Sequence, residues 1–127
     1  MPEAEKLGEL RKLQTDWDSY GSPPIVPAII DAAERLLQRL GDTSGVYAVP
    51  LSNGSLQLEW RGPNRTYFEV EFVDAEHARI LTEANDDITT TGTIGLEGIP
   101  AMFAAFREAS QPPSVCPQAG RRMNIGE

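Results

Sequence analysis

Apolar positions near the start of the chain recur at helical spacing. Leu7, Leu10, Leu13 and Trp17 stand three or four residues apart between charged and polar positions, the spacing that puts side chains on one face of a helix. The pattern predicts an amphipathic helix from about Glu3 to Trp17, weakened at Gly8. Tyr20-Gly21-Ser22-Pro23-Pro24 should end it, because a proline biases the residue before it away from helical backbone. Pro27 then fits the first turn of a second helix, where a missing N–H does no harm. Ile29, Ile30, Ala33, Leu36, Leu37 and Leu40 form its apolar stripe. Asp31 near its start and Arg39 near its end suit the helix dipole, and Gly41 is a natural C-terminal cap.

After Thr43-Ser44-Gly45 the period changes to two. Tyr47, Val49 and Leu51 alternate with smaller residues, and Leu56, Leu58 and Trp60 alternate beyond Asn53-Gly54. Asn-Gly between alternating runs signals a hairpin. A two-residue turn there pairs Leu51 with Leu56, Val49 with Leu58 and Tyr47 with Trp60, leaving every large apolar residue on one face. Pro50 lacks a ladder donor and assigns the first strand to an edge. Phe68, Val70 and Phe72 alternate in a third strand, with Leu58 opposite Phe68 and Leu56 opposite Val70, so that Val49, Leu58 and Phe68 line up. Asp74-Ala75-Glu76-His77 is the next turn, and a weaker fourth strand covers Ala78 to Thr82. Asn85 to Gly98 is polar and threonine-rich and reads as a long loop, with a short strand at Thr91 to Ile94. Pro100 to Ala109, with Met102, Phe103 and Phe106, reads as a third helix.

The expected fold class is therefore α+β. Two N-terminal helices pack on one face of a three- to four-stranded antiparallel meander, and a short C-terminal helix follows. Residues 1–110 form a single domain, and 111–127, with three prolines and Arg121-Arg122, form a flexible tail.

Composition narrows the use of such a domain. The 127 residues suffice for one domain, and 40% hydrophobic with 24% charged residues is globular composition. A net charge of −8 repels phosphate backbones, so direct nucleic-acid binding is not expected and a basic protein partner is favoured. Cys116 is the only cysteine, which excludes an intramolecular disulfide. Met1-Pro2-Glu3-Ala4-Glu5-Lys6 lacks the features of a signal peptide, and no apolar run reaches membrane-spanning length. The expected location is cytoplasmic, with no membrane partner.

Candidate chemistry is sparse. A hydrolytic triad would have to use His77, the one histidine, which falls in a predicted turn. Cys116 lies in the tail. Two His and Cys residues in total cannot make an ordinary zinc site. Glu83, Asp86 and Asp87 do not have calcium-loop spacing, and Gly92-x-x-Gly95-x-x-Gly98 is neither a P-loop nor a dinucleotide fingerprint. No catalytic residue, metal or cofactor is expected. Two surfaces are candidates for interaction. Glu59, Glu69 and Glu71 should project from neighbouring strands onto one open sheet face with Gln57 and Tyr67, the tyrosine serving as an aromatic anchor. Asp16, Asp18 and Tyr20 could form a recognition corner. In the structural reading of that string, Trp17 finishes the helix stripe, Tyr20 covers the core edge, and Asp18 or Ser19 bonds the turn backbone.

The order Trp17-Asp18-Ser19-Tyr20-Gly21-Ser22-Pro23-Pro24, then an alanine- and leucine-rich helix, then Gly54-Ser55-Leu56-Gln57-Leu58-Glu59-Trp60 resembles a group of small uncharacterised bacterial proteins. These carry W-D-x-Y-G-x-x-P, a helix and a G-x-(I/L)-x-L-E-W hairpin. The resemblance covers Leu10 to Phe72, implies a bacterial or phage origin, and carries over no catalytic residue. Size, charge and the poor catalytic inventory point to a non-enzymatic binding protein that neutralises or regulates a protein partner, of the antitoxin, immunity or phage-inhibitor type. The rival expectations are a DNA-mimic inhibitor of a DNA-binding protein and a small enzyme using carboxylates with a divalent metal.

Overall fold

The computed structural model describes residues 3–110; the expected tail lies outside them, as does Cys116. Helix α1 spans Glu3–Leu10 and stops short of Trp17. The amides of Lys12 and Leu13 donate to Glu9 O (3.0 Å) and Leu10 O (3.2 Å), tightening the last turn as helix ends commonly do. Asp16 and Ser19 then adopt left-handed backbone, with φ 69° and 65°, which no helix accommodates. Leu13 and Trp17 nevertheless lie against the core. Their burial follows the apolar pattern although their backbone does not.

Helix α2, Pro27–Leu40, matches its sequence pattern in extent and facing. Ile29, Ile30, Ala32, Ala33, Leu36 and Leu37 are buried, and Gly41 closes it at φ 81°. Its start is anchored to the first hairpin by the Val26 amide, which donates to Gly54 O (2.8 Å). Arg11, just past α1, binds both Asp31 (2.5 Å) and Glu34 (2.6 Å) of α2.

Among the described residues six strands follow: β1 Val46–Pro50, β2 Leu56–Arg61, β3 Tyr67–Phe72, β4 His77–Ala84, β5 Asp87–Thr90 and β6 Ile94–Gly95. The order is β1-β2-β3-β4-β5, with β6 beside the first residues of β4. All the pairings are antiparallel, and β1 is an edge, as Pro50 requires. The sheet thus exceeds the expected three or four strands. The polar stretch after Asn85 is not a long loop but supplies β5, β6 and a 3-10 turn at Leu96–Gly98. Asn85 and Asp86 both have positive φ (54° and 67°) between the paired residues Ala84 and Asp87, the geometry of a two-residue hairpin turn.

The register of the first hairpin differs from the expected one by one residue. Trp60 pairs with Val46, Leu58 with Ala48 and Leu56 with Pro50. The loop is longer than Asn53-Gly54 alone. Leu51 N donates to Ser55 O (2.9 Å), Gly54 N donates to Leu51 O (3.2 Å), and Gly54 has φ 88°. This is a three-residue loop ending in a left-handed glycine. The shift sends Tyr47 and Val49 to the outer face and brings Val46 and Ala48 into the core. Between β2 and β3 the register is displaced by two, with Leu58 opposite Val70 and Trp60 opposite Phe68, which preserves the faces. The row predicted as Val49, Leu58 and Phe68 is in fact Ala48, Leu58, Val70 and Ile80.

The three described helices share one buried cluster with the inner sheet face. Helix α3, Ile99–Ser110, closes it with Ile99 and Phe103. Phe103 and Phe106 meet Trp60 edge-on (5.7 and 6.0 Å between ring centres), and Phe103 meets Phe68 likewise (5.3 Å). Arg107 lies 5.8 Å from the Trp60 ring centre and ties α3 to the loop after α2: it donates to Asp42 O (2.8 Å) and to the Asp42 carboxylate (3.0 Å).

The Asp42 carboxyl is held well below its ordinary pKa, first by the Ser44 amide, then by the Ser44 side chain and Arg107. A lowered folded-state pKa contributes stability that is present above the unfolded value and is lost as pH falls through the folded one. Asp42→Asn is therefore expected to be less stable than the parent at neutral pH, by a margin that shrinks as pH falls below the ordinary carboxylate range near about 4. Denaturant unfolding at a series of pH values measures that margin. A constant difference would contradict the linkage.

Candidate functional site

With α1, α2 and α3 all on the inner side, no described element covers the outer face of the sheet. Period-two alternation and the observed register lay its side chains out in cross-strand rows. Tyr47, Glu59, Glu69, Leu81 and Thr90 form the middle row. Val49, Gln57, Glu71 and Arg79 form a second, and Arg61, Tyr67, Glu83 and Ile88 a third. The face thus brings Glu59, Glu69, Glu71 and Tyr67 together, as the alternation predicted. It adds Glu83, two arginines and an apolar fringe in which Tyr47 is 52% and Ile88 64% exposed.

Glu59 and Glu69 are directly opposed, an unfavourable arrangement for two carboxylates unless neighbours offset it. The Glu59 carboxylate accepts from Gln57 Nε2 (2.5 Å) and from Arg61 (3.0 Å), and its side chain is only 12% exposed. Glu69 accepts from the Tyr67 hydroxyl (2.8 Å). Arg61 in turn lies over the Tyr67 ring at 5.6 Å, and Arg79 stands 3.8 Å from Glu71. Burial, then the Glu69 and Glu59 carboxylates, push the Tyr67 hydroxyl well above its ordinary pKa. The tyrosine therefore stays a protonated donor. Short contacts thus hold the Glu59 and Glu69 carboxylates in place, and this part of the face is an ordered acidic surface.

The second candidate surface resolves differently. Asp16 Oδ1 accepts from Gly21 N (2.7 Å), and Asp18 accepts from Tyr20 N (3.0 Å) and from the buried Ser22 hydroxyl (2.5 Å). These bonds hold Asp18 below its ordinary pKa, the Ser22 hydroxyl foremost. Trp17 Nε1 donates to Pro23 O (2.8 Å), and Gly21 has φ 80°. The Trp-Asp-x-Tyr-Gly string is thus a self-bonded turn connecting α1 to α2. Asp18 bonds the turn backbone as expected, but Trp17 does not end a helix. Tyr20 does not cover the core edge; it is 90% exposed.

His77 opens β4 instead of lying in a turn. Its Nδ1 sits 2.9 Å from the Asp74 carboxylate, which also accepts the amides of Glu76 and His77. His77 also borders an open cleft of about 590 Å³ between α2 and the β3–β4 turn, flanked on a third side by β6 and the 3-10 turn. Sequence reading missed this cleft, because its walls come from segments far apart in the chain; the one local signal was Arg35 and Arg39, a helical turn apart on the polar side of α2. Among the described residues no group of three or more His, Cys, Asp or Glu side chains could hold a metal ion, and no helix is long and apolar enough to cross a membrane. No protein-family model, curated protein or solved structure matches the chain.

Proposed function

We propose that the chain is a cytoplasmic, non-enzymatic binding protein that neutralises or regulates a basic protein partner through the open face of its sheet, in the manner of bacterial or phage inhibitors and immunity proteins. The observation that carries the reading is the ordered face itself. Glu59, Glu69, Glu71 and Glu83 outnumber Arg61 and Arg79, and Tyr47, Leu81 and Ile88 supply apolar contact among them. Aromatic residues are enriched at protein interfaces, commonly ringed by a polar rim. The overall charge of −8 adds long-range attraction for a basic surface. The arginines set among the acids count against a pure DNA mimic, which would present carboxylates alone.

The test compares capture from bacterial lysate by the parent chain and by Glu69→Arg/Glu83→Arg. One stoichiometric partner, retained at low salt by the parent and lost by the variant, is the expected result. A charge reversal at an interface weakens association by roughly tenfold or more per buried pair. Equal retention by both proteins, or no stoichiometric partner, overturns the proposal. Circular dichroism of the variant confirms that its fold is intact.

A further inference from the structure

The cleft beside α2 carries charge of both signs that forms no ion pair among the described residues. Arg35 and Arg39 come from α2, one helical turn apart, and Glu76 and Glu97 come from the β3–β4 turn and the 3-10 turn that border the cleft. Every arginine that makes an ion pair among the described residues makes it elsewhere: Arg11, Arg61, Arg79 and Arg107. Arg35, Arg39, Glu76 and Glu97 make none among the described residues, although all four border one space. A surface ion pair is easily formed when side chains can reach each other. These exposed groups instead border an open cleft of about 590 Å³, a volume within the range of small-molecule sites.

Two further features make the cleft more than a gap between loops. Gly95 lets the Glu97 carboxylate fold back: a Cβ at position 95 would fall 2.1 Å from Glu97 Oε1. Gly95 has ordinary extended backbone (φ −71°, ψ 154°), and its missing Cβ leaves room for this carboxylate position, which a side chain at 95 would shift. In addition, Asp74 engages His77 Nδ1, which leaves Nε2 as the ring atom able to meet a ligand. Between the charged groups the half-buried Ala75 and Leu96 supply some apolar surface, with the buried Ala32 and Leu36 beneath.

From this we infer that the cleft binds a small zwitterion, a free α-amino acid, with its carboxylate on Arg35 and Arg39 and its ammonium group toward Glu97 and Glu76. Paired guanidiniums suit a carboxylate because their N–H groups form charge-assisted bonds. An ammonium donates three bonds and accepts none, which matches carboxylates on the facing wall. The amino-acid side chain then lies against Ala75 and Leu96. The site is separate from the sheet face and does not depend on the partner proposed for it.

The experiment is saturation-transfer NMR on the full chain with each genetically encoded L-amino acid in turn, at millimolar concentration. At least one is expected to bind. Its N-acetyl and methyl-ester forms should each bind at least about tenfold more weakly, the loss of one hydrogen bond to a charged group. Arg35→Gln/Arg39→Gln, exposed positions whose replacement leaves the core intact, should abolish binding of the parent amino acid. Gly95→Ala, which displaces the Glu97 carboxylate, should weaken the amino acid while leaving its N-acetyl form unchanged. Three results overturn the inference: no amino acid binding, binding of inorganic phosphate or acetate as tight as that of the best amino acid, or N-acetylation without effect. The first two variants do not touch the sheet face, so failure here leaves the partner-capture result standing on its own.

Discussion

Trp60→Ala is expected to destabilise the protein by about 3–5 kcal/mol, the range for removing a buried large aromatic side chain. Trp60 is 7% exposed, meets Phe103 and Phe106 edge-on, and has the Arg107 guanidinium 5.8 Å from its ring centre. Its loss leaves a cavity between the sheet and α3 and removes the aromatic contacts that dock that helix. Against a typical domain stability of about 5–15 kcal/mol, this is a large share, readable as a lower denaturant midpoint. Tyr47→Ala is the internal control. In the observed register Tyr47 faces outward, so its replacement should shift stability by no more than about 0.5 kcal/mol. Had Tyr47 paired with Trp60 on the inner face, the two substitutions would cost similar amounts, so comparable losses would contradict the observed register.

The second large effect comes from adding atoms beside the same indole. A Cβ at Gly62 would fall 2.2 Å from Trp60 Cη2 and 2.4 Å from the Thr66 hydroxyl. Thr66 cannot yield freely, since its hydroxyl donates to Pro63 O (2.6 Å) and its carbonyl accepts the Gly62 amide (2.9 Å). Gly62→Ala should therefore cost about 1–3 kcal/mol through overpacking. The atoms in conflict belong to the outer ring of the indole, which phenylalanine lacks. In the Trp60→Phe background the same change should cost measurably less, and a double-mutant cycle in denaturant measures the difference. Strict additivity of the two substitutions would show that the conflict lies elsewhere.

These residues also show how much of the fold could be read from the chain. Helix α2 was legible because Pro27, the apolar stripe and Gly41 all mark the same boundaries. The end of α1 was not, because Leu13 and Trp17 continue the helical spacing while the backbone turns away at Asp16. Periodicity reports burial, and a loop can bury a tryptophan as well as a helix can. The first hairpin went astray on size. Large Tyr47 and Val49 looked like core, yet Ala48 is the buried residue where α1 packs on β1. Strand β5 has no buried residue, so no alternation announced it. The Asn85-Asp86 pair, two residues tolerant of left-handed backbone, was the available signal. Of the candidate site, the carboxylates and Tyr67 could be placed on one face because the period of two survives a register shift of two. Leu81 and Ile88 could not, since their place depends on the strands after residue 77.

The sheet's two rims bear on how the protein can meet others. One rim is β1, five residues long and ending in Pro50, which has no amide hydrogen to offer. The other is divided between β5 and β6, and at the break Thr91 fills in: its amide donates to Ile80 O (2.9 Å), and its hydroxyl accepts the Ile80 amide (3.0 Å). Short, interrupted rims are poor templates for a further strand. Among the described residues, then, neither rim offers a long unbroken row of backbone donors and acceptors, which disfavours growth of the sheet by edge-to-edge stacking of copies.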